Sequence, residues 1–313
     1  MKKLFLLVLA ALFCITAFSQ TREKLYNRLL WSFSDKDTAR SAKILSDWEK
    51  LYPQDAQLYA GYANLYLQKS LKEVTIISEE KPEDEDYDVE IDSLGNEIYT
   101  YTTRIRDSLM TDKRISTLEE GISKFPDRLD FRISLASTHW ANKNNREMVD
   151  VLCKIIERSR ENGNNWLMTL DEKPEDGEAT MFEPFQSYFS HLFLKLNEIE
   201  LAESLADTVL KYYPNNTVFL NNKAGIAYDR GDYDTALKNY LKSHEIAPNV
   251  SFVLLNIAYI YEKKKDKANA LKYYKLLEET GDELYAPVAK KAIAELENGK
   301  DNKQSKILIL IFD

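Results

Sequence analysis

The sequence predicts an all-α fold, a helical-repeat solenoid of about five to six helix pairs with a small β-hairpin insertion. Three observations predict it. The stretch from Leu220 to Leu277 falls on itself when shifted by 34 residues: Leu220 lands on Leu254, Ala224 on Ala258, Asp232 on Asp266, Ala236 on Ala270 and Tyr240 on Tyr274. A fixed period of this length marks stacked helix pairs, each burying its apolar face against its neighbours. Elsewhere apolar residues recur at helical spacing, as in Leu25, Leu29, Leu30 and in Ala42, Leu45, Trp48. Residues 71–107 break this rhythm and alternate as strands do.

Residues 22–51 form two helices joined at Asp35-Lys36-Asp37-Thr38, a polar link that caps the second one. A Tyr-rich helix follows from Gln57 to about Gln68. Its partner is delayed by the first insertion. There Val74, Ile76 and Ile77 have strand propensity, and Val89 to Ile91 and Ile98 to Tyr101 flank the turn cluster Asp92-Ser93-Leu94-Gly95-Asn96. A hairpin is predicted, with a third strand over 73–78. The delayed helix runs from Ser108 to Lys124, and 129–162 holds another pair, with Leu135-Ala136 and Trp140 in its first helix. A second insertion covers 163–182. Three pairs follow at 183–216, 217–250 and 251–284, then a capping helix from Ala286 to Leu296. Each insertion contains the pentapeptide EKPED, read as an acidic surface loop. The first lies within a module and the second between modules, so they leave opposite edges of the ribbon.

Within a pair, Ala224 and Ala236 are the small residues that let two antiparallel helices approach. Gly231-Asp232 stops one helix and starts the next, and Pro248 closes the repeat. These residues and their period resemble the tetratricopeptide repeat. The aromatic position before the Gly is Ala227, with Tyr228 beside it; the next copy restores it as Tyr261, replaces the Gly by Lys265 and lacks the closing Pro. The resemblance implies a peptide held in a groove lined by the first helix of each pair. On this chain that face carries Asn64, Ser137, Trp140, His191, Asn221, Tyr228, Tyr259 and Glu262. The family's carboxylate clamp is not matched: Asn221 and Asn222 are present, but Gly225 stands where a further Asn is expected.

The N-terminus reads as a secretory leader over 1–19, with a basic start, the apolar run Leu4 to Phe18 and small residues before Gln20. The helical domain covers 20–298, with insertions at 71–107 and 163–182. A tail spans 299–313 and ends in the apolar run Ile307 to Phe312, which either docks on the last helix pair or pairs as an edge strand. The chain has 42 basic residues, two of them in the leader, against 51 acidic ones. Such an acidic chain without a basic cluster is a poor partner for nucleic acid. Of two cysteines, Cys14 lies in the leader and Cys153 on an apolar helix, so no internal disulfide is expected.

Residues that carry chemistry are scattered. His139, His191 and His244 have no second ligand at metal-binding spacing. Asp84, Asp86 and Asp88 open like a calcium loop, but Val89 occupies the position of the sharp-turn Gly. Phosphate-loop and nucleophile-elbow motifs are lacking. The expectation is a protein without enzymatic activity, cofactor, metal or transmembrane helix: a protein-binding scaffold of the periplasm or cell surface. The alternatives are a structural subunit of an envelope assembly and an accessory subunit of an envelope enzyme. Asp-Ser/Thr followed by a small or apolar residue, at Asp37, Asp92, Asp107, Asp207 and Asp234, is similar to the O-glycosylation signal of exported proteins in Bacteroidota-type bacteria. Helix capping and turn formation favour the same dipeptides.

Overall fold

The computed structural model describes residues 22–82 and 86–298; the stretch expected to be a leader, the tail from 299 and part of the first EKPED lie outside the described residues. Helix α1 covers 22–34. It is followed by α2 (Thr38–Leu51), α3 (Gln57–Ser70), strands β1 (Leu71–Ser78), β2 (Tyr87–Ile91) and β3 (Glu97–Arg106), then α4 (Ser108–Lys124), α5 (Leu129–Ala141) and α6 (Asn145–Asn162). The second insertion holds a 3-10 turn at Thr169–Asp171 and the short α7 (Gly177–Phe182). Then come α8 (Phe185–Ser190), a π turn at His191–Lys195, α9 (Ile199–Tyr212), α10 (Thr217–Asp229), α11 (Tyr233–Ile246), α12 (Ser251–Lys263), α13 (Lys267–Glu279) and α14 (Ala286–Glu297). The predicted all-α repeat fold with a small sheet is what the chain forms.

The period has a visible backbone cause. Each turn from a first to a second helix carries one left-handed residue. Asn197 (φ 56°), Gly231 (φ 76°) and Lys265 (φ 60°) are successive copies of it. Gly231 N–H donates to the Tyr228 carbonyl at 2.9 Å and Lys265 N–H to that of Glu262 at 2.8 Å, so the two turns close alike. The next residue starts the second helix: the carboxylates of Asp232 and Asp266 accept from the backbone N–H of Thr235 and Asn269. The alanines read as crossing points, Ala202, Ala236 and Ala270, are wholly buried.

The chain divides into two compact units. The first takes residues up to 142 and 165–175. Its helical core holds Leu25, Leu29, Ile44, Leu45, Trp48, Leu58 and Leu65. Gly61 permits α3 to approach α2, since a Cβ there would lie 2.4 Å from Leu45 Cδ2. The sheet grows from the far end of α3, where Asp107 N–H donates to the Ser70 carbonyl at 2.7 Å. Its order is β1-β3-β2, with both outer strands antiparallel to β3. The third strand expected over 73–78 forms as β1, paired with β3. Paired residues share a face, so Val74, Ile76, Tyr101, Tyr87, Val89 and Ile91 lie together on one side. Asp92 builds the tip, accepting from Leu94 and Asn96 N–H at 2.8 Å each.

Residues 165–171 form a strap on the other end of the α3–α4 pair. Leu129 N–H donates to the Leu167 carbonyl and Leu167 N–H to that of Asp127, both at 2.9 Å. Trp166 is buried beneath them, at 1% exposure. The two insertions thus occupy opposite ends of α3, about 20 Å apart at 1.5 Å per residue. The strap corrects part of the loop reading: residues 172–176 are a surface turn, but the stretch before them is built into the core.

The second unit takes 143–164 and everything from 176. Here α6 and α9 pack together, and α9 to α14 follow as successive neighbours. Its core runs from Ala224 and Ala236 through Val253–Ile260 to Ala289 and Ile293. One expected regular helix is broken. The first helix of the 183–216 pair gives way after Ser190 to a π turn, with Leu196 N–H donating to the His191 carbonyl at 3.1 Å. Asn197 then ends it in the left-handed region. The aromatic residues Phe182, Phe185, Phe189 and Phe219 fill the space beneath in tilted and edge-on contacts.

Candidate functional site

The eight residues expected on a binding face fall on both units. In the first, Asn64 on α3 and Ser137 on α5 are exposed, and Trp140 near the end of α5 is 36% exposed. In the second, α10 and α12 bring four of them to one side. Tyr228 is half-buried and packs on Tyr233 at 5.4 Å between ring centroids. Burial, with the neighbouring Tyr233 and Tyr259 behind it, pushes its phenol up to about 12. Asn221 lies two turns earlier on α10, and its side-chain Oδ1 is buried without a donor. Glu262 accepts a hydrogen bond from Tyr274. His191 sits in the π turn, where its carbonyl closes the bend rather than continuing a helix.

Tyr259 corrects the expectation of an exposed anchor. It is 7% exposed and meets Tyr274 edge-on at 6.0 Å. The cause is α12 itself, whose residues Val253–Ile260 are all buried. The same helices carry buried polar side chains that are not among the eight expected residues. Asn222 is 2% exposed and exchanges hydrogen bonds with Gln186 of α8, donating from Nδ2 at 2.8 Å. Asn256, one period on, is 5% exposed. The 34-residue spacing of two buried asparagines was the available signal.

The first unit has two further polar features. Arg22 is held by both oxygens of Asp55 at 2.7 Å and by Asp171 at 2.8 Å, at the edge of a cleft of 430 Å³. The charges of this cleft satisfy one another, and Trp48 Nε1–H adds a bond to Asp55 at 2.9 Å. Arg114 on α4 is different. It is 6% exposed and donates to the Ala63 carbonyl and to Thr138 Oγ1, neither of them charged. No spacing argument singled it out, because the first insertion separates it from the repeat register.

Cys153 donates weakly to Thr208 at 3.4 Å, and burial pushes its thiol up, which suits a packing role. His244 lies edge-on to Tyr273 at 5.8 Å. Among the described residues no group of His, Cys, Asp or Glu is arranged to hold a metal ion, and no helix is long and apolar enough to cross a membrane. Of the Asp-Ser/Thr positions, Ser93 and Ser108 are exposed, while Thr208 donates to the Ser204 carbonyl within its helix.

Two family models described as tetratricopeptide repeat match the chain, at residues 189–251 and 253–279. These segments are tetratricopeptide repeats. Among solved structures, the chain is similar to YrrB, described as a TPR protein with an unusual peptide-binding site, at 14% identity and a TM-score of 0.40, covering 79% of this chain and 97% of that one. It is also similar to MamA, at 17% identity and a TM-score of 0.37, over 59% of this chain and 92% of the other. PilF of Pseudomonas aeruginosa matches at 15% identity and a TM-score of 0.36, over 60% and 82%. No curated protein matches the chain.

Proposed function

We propose that this chain is a non-enzymatic scaffold that holds a peptide segment of a partner protein against the first helices of its repeats. Tetratricopeptide repeats make a protein-interaction fold. The observation that carries the finer reading is on α10: a half-exposed Tyr228 and, on the same helix, an Asn221 Oδ1 that lacks a donor. An aromatic anchor two turns along the same helix from an acceptor that lacks a donor suits an extended peptide, which brings its own N–H groups. The experiment is capture from envelope extract with the parent and with Tyr228→Ala and Asn221→Leu as baits. Loss of the same captured protein by both variants, at unchanged helix content, supports the reading; identical capture refutes it.

We place the scaffold in the periplasm or at the cell surface on the character of Met1 to Ser19, and fractionation of cells making the tagged chain tests this. A second reading, a subunit of an envelope assembly, draws on the sheet. Val89 is 51% and Ile91 65% exposed on its apolar face, more than a solvated sheet ordinarily leaves open. A stable oligomer or large complex in size-exclusion chromatography favours that reading.

A further inference from the structure

In the second unit the crossing position on a second helix is Met148 on α6 and alanine on α9, α11 and α13, as Ala202, Ala236 and Ala270, all wholly buried and uncharged. In α11 the buried residues after the crossing are Tyr240 and Ser243. In α4 the same spacing is met by Leu118 and Gly121, and the crossing position is Arg114. Its side chain runs between two first helices. Nη1 donates to the Ala63 carbonyl of α3 at 2.7 Å, and Nε to Thr138 Oγ1 of α5 at 2.7 Å. Thr138 in turn donates to the Ser134 carbonyl at 2.6 Å, which fixes its lone pairs toward the guanidinium.

Among the described residues the charge has no counterpart: no carboxylate forms an ion pair with Arg114, and Nη2 has no acceptor. Burial, and after it the like charge of Arg106, pull the guanidinium down to about 10, so it stays protonated at neutral pH. Arg128, equally buried, shows the contrast: it pairs with Asp130 at 2.6 Å and Asp171 at 3.2 Å and lies over the Phe131 ring. Buried charges are ordinarily paired, and an apolar side chain would fill the space at lower cost. Asn64 and Ser137, the residues next to the two acceptors, are exposed polar side chains on the same two helices.

We propose that Arg114 is an anion-binding residue of the first unit, taking a carboxylate of a bound peptide between α3 and α5. The planar fork of its remaining N–H groups matches a carboxylate in two parallel bonds. This inference rests on the reading of the chain as a peptide-binding scaffold. The carboxylate comes from a peptide C-terminus or from an Asp or Glu side chain.

The test follows the Nε–H resonance of Arg114 and the backbone amides of α10 in the full chain while three hexapeptide pools are added. One pool has a free C-terminal carboxylate and no acidic side chain. The second is amidated and contains one fixed Glu. The third is amidated with Gln in its place. The Arg114 resonance shifts with the first pool, the second or both, which identifies the source, and stays still with the third. Arg114→Met then weakens that pool by roughly tenfold or more, and Arg114→Lys, which keeps the charge but loses the fork, also weakens it. If neither carboxylate pool moves Arg114 while a pool still moves α10, this inference fails and the scaffold reading stands. Equal binding by parent and both variants also overturns it. If no pool moves either site, both readings fail.

Discussion

Arg128 donates from Nη1 to Asp171 Oδ1 at 3.2 Å, and so ties the turn between α4 and α5 to a strap 43 residues further along the chain. Arg128 is 1% exposed, and Asp130 and Gln57 complete its shell. Asp171 also receives Arg22, and with Leu170 it adopts a left-handed backbone (φ 63° and 58°) that few residues hold unaided. Asp171→Ala is expected to lower the stability of the first unit by about 1 kcal/mol. Arg128→Ala costs about 3 kcal/mol, because it strands a partly buried carboxylate. Urea unfolding followed at Trp48 and Trp166 checks both, and equal effects would show that the strap is not held by this pair.

The turn residues give a prediction of opposite sign. Lys265 holds the position that Gly231 fills one repeat earlier, at φ 60°. A side chain there costs about 1 kcal/mol relative to glycine. Lys265→Gly is therefore expected to raise the stability of the second unit by up to about 1 kcal/mol, and Gly231→Ala to lower it by a similar amount. Thermal melts of the two variants decide this, and a destabilised Lys265→Gly would contradict the shared turn geometry.

Packing at the helix crossings is equally specific. Ala236→Leu and Ala270→Leu should each destabilise by roughly 1–3 kcal/mol, since both sites are full. Gly61→Ala should act in the same direction in the first unit: the new methyl meets Leu45, which is fully buried and has nowhere to turn. Unchanged melting in all three would mean that these crossings are looser than their complete burial implies.

The repeats were legible because a stacked fold asks for the same residue at the same place each time. Ala224, Ala236 and their copies, Gly231 and the capping aspartates all answer local demands, so their spacing reveals them. The sheet was legible from Val89, Ile91 and Tyr99, whose alternation is a local property too. The strap was not: Trp166 and Arg128 are buried through contacts far apart in sequence. Tyr259 misled because α12 is apolar around most of its circumference, which leaves no polar side to mark its outward face. Arg114 escaped because the sheet insertion moves α4 out of the 34-residue register, so its match to Ala236 appears only in space.

Alkaline pH should unfold the second unit. The phenol of Tyr228 is pushed up to about 12 by burial, and burial also raises Tyr240, Tyr259 and Tyr273. A folded value above the unfolded one means that the protonated form is the one folding favours. That stability is whole below pH ~10, the ordinary tyrosine value, and declines as pH rises toward the folded values. Circular dichroism with absorbance of the phenolate should show ionisation and helix loss together, and Tyr240→Phe should move the transition to higher pH. Phenols that ionise near their ordinary value with helices intact would rule this out.

The central claim is that a partner segment lies on the first-helix face of the repeats. Photocrosslinking in cells tests it most directly, with benzoyl-phenylalanine placed at Tyr228 on α10, at Lys238 on the exposed side of α11 and at Leu94 at the tip of the sheet. The account predicts a discrete covalent adduct from position 228 and none from 238 or 94. Adducts from 94 alone, with position 228 silent, would contradict it and move the binding surface to the sheet.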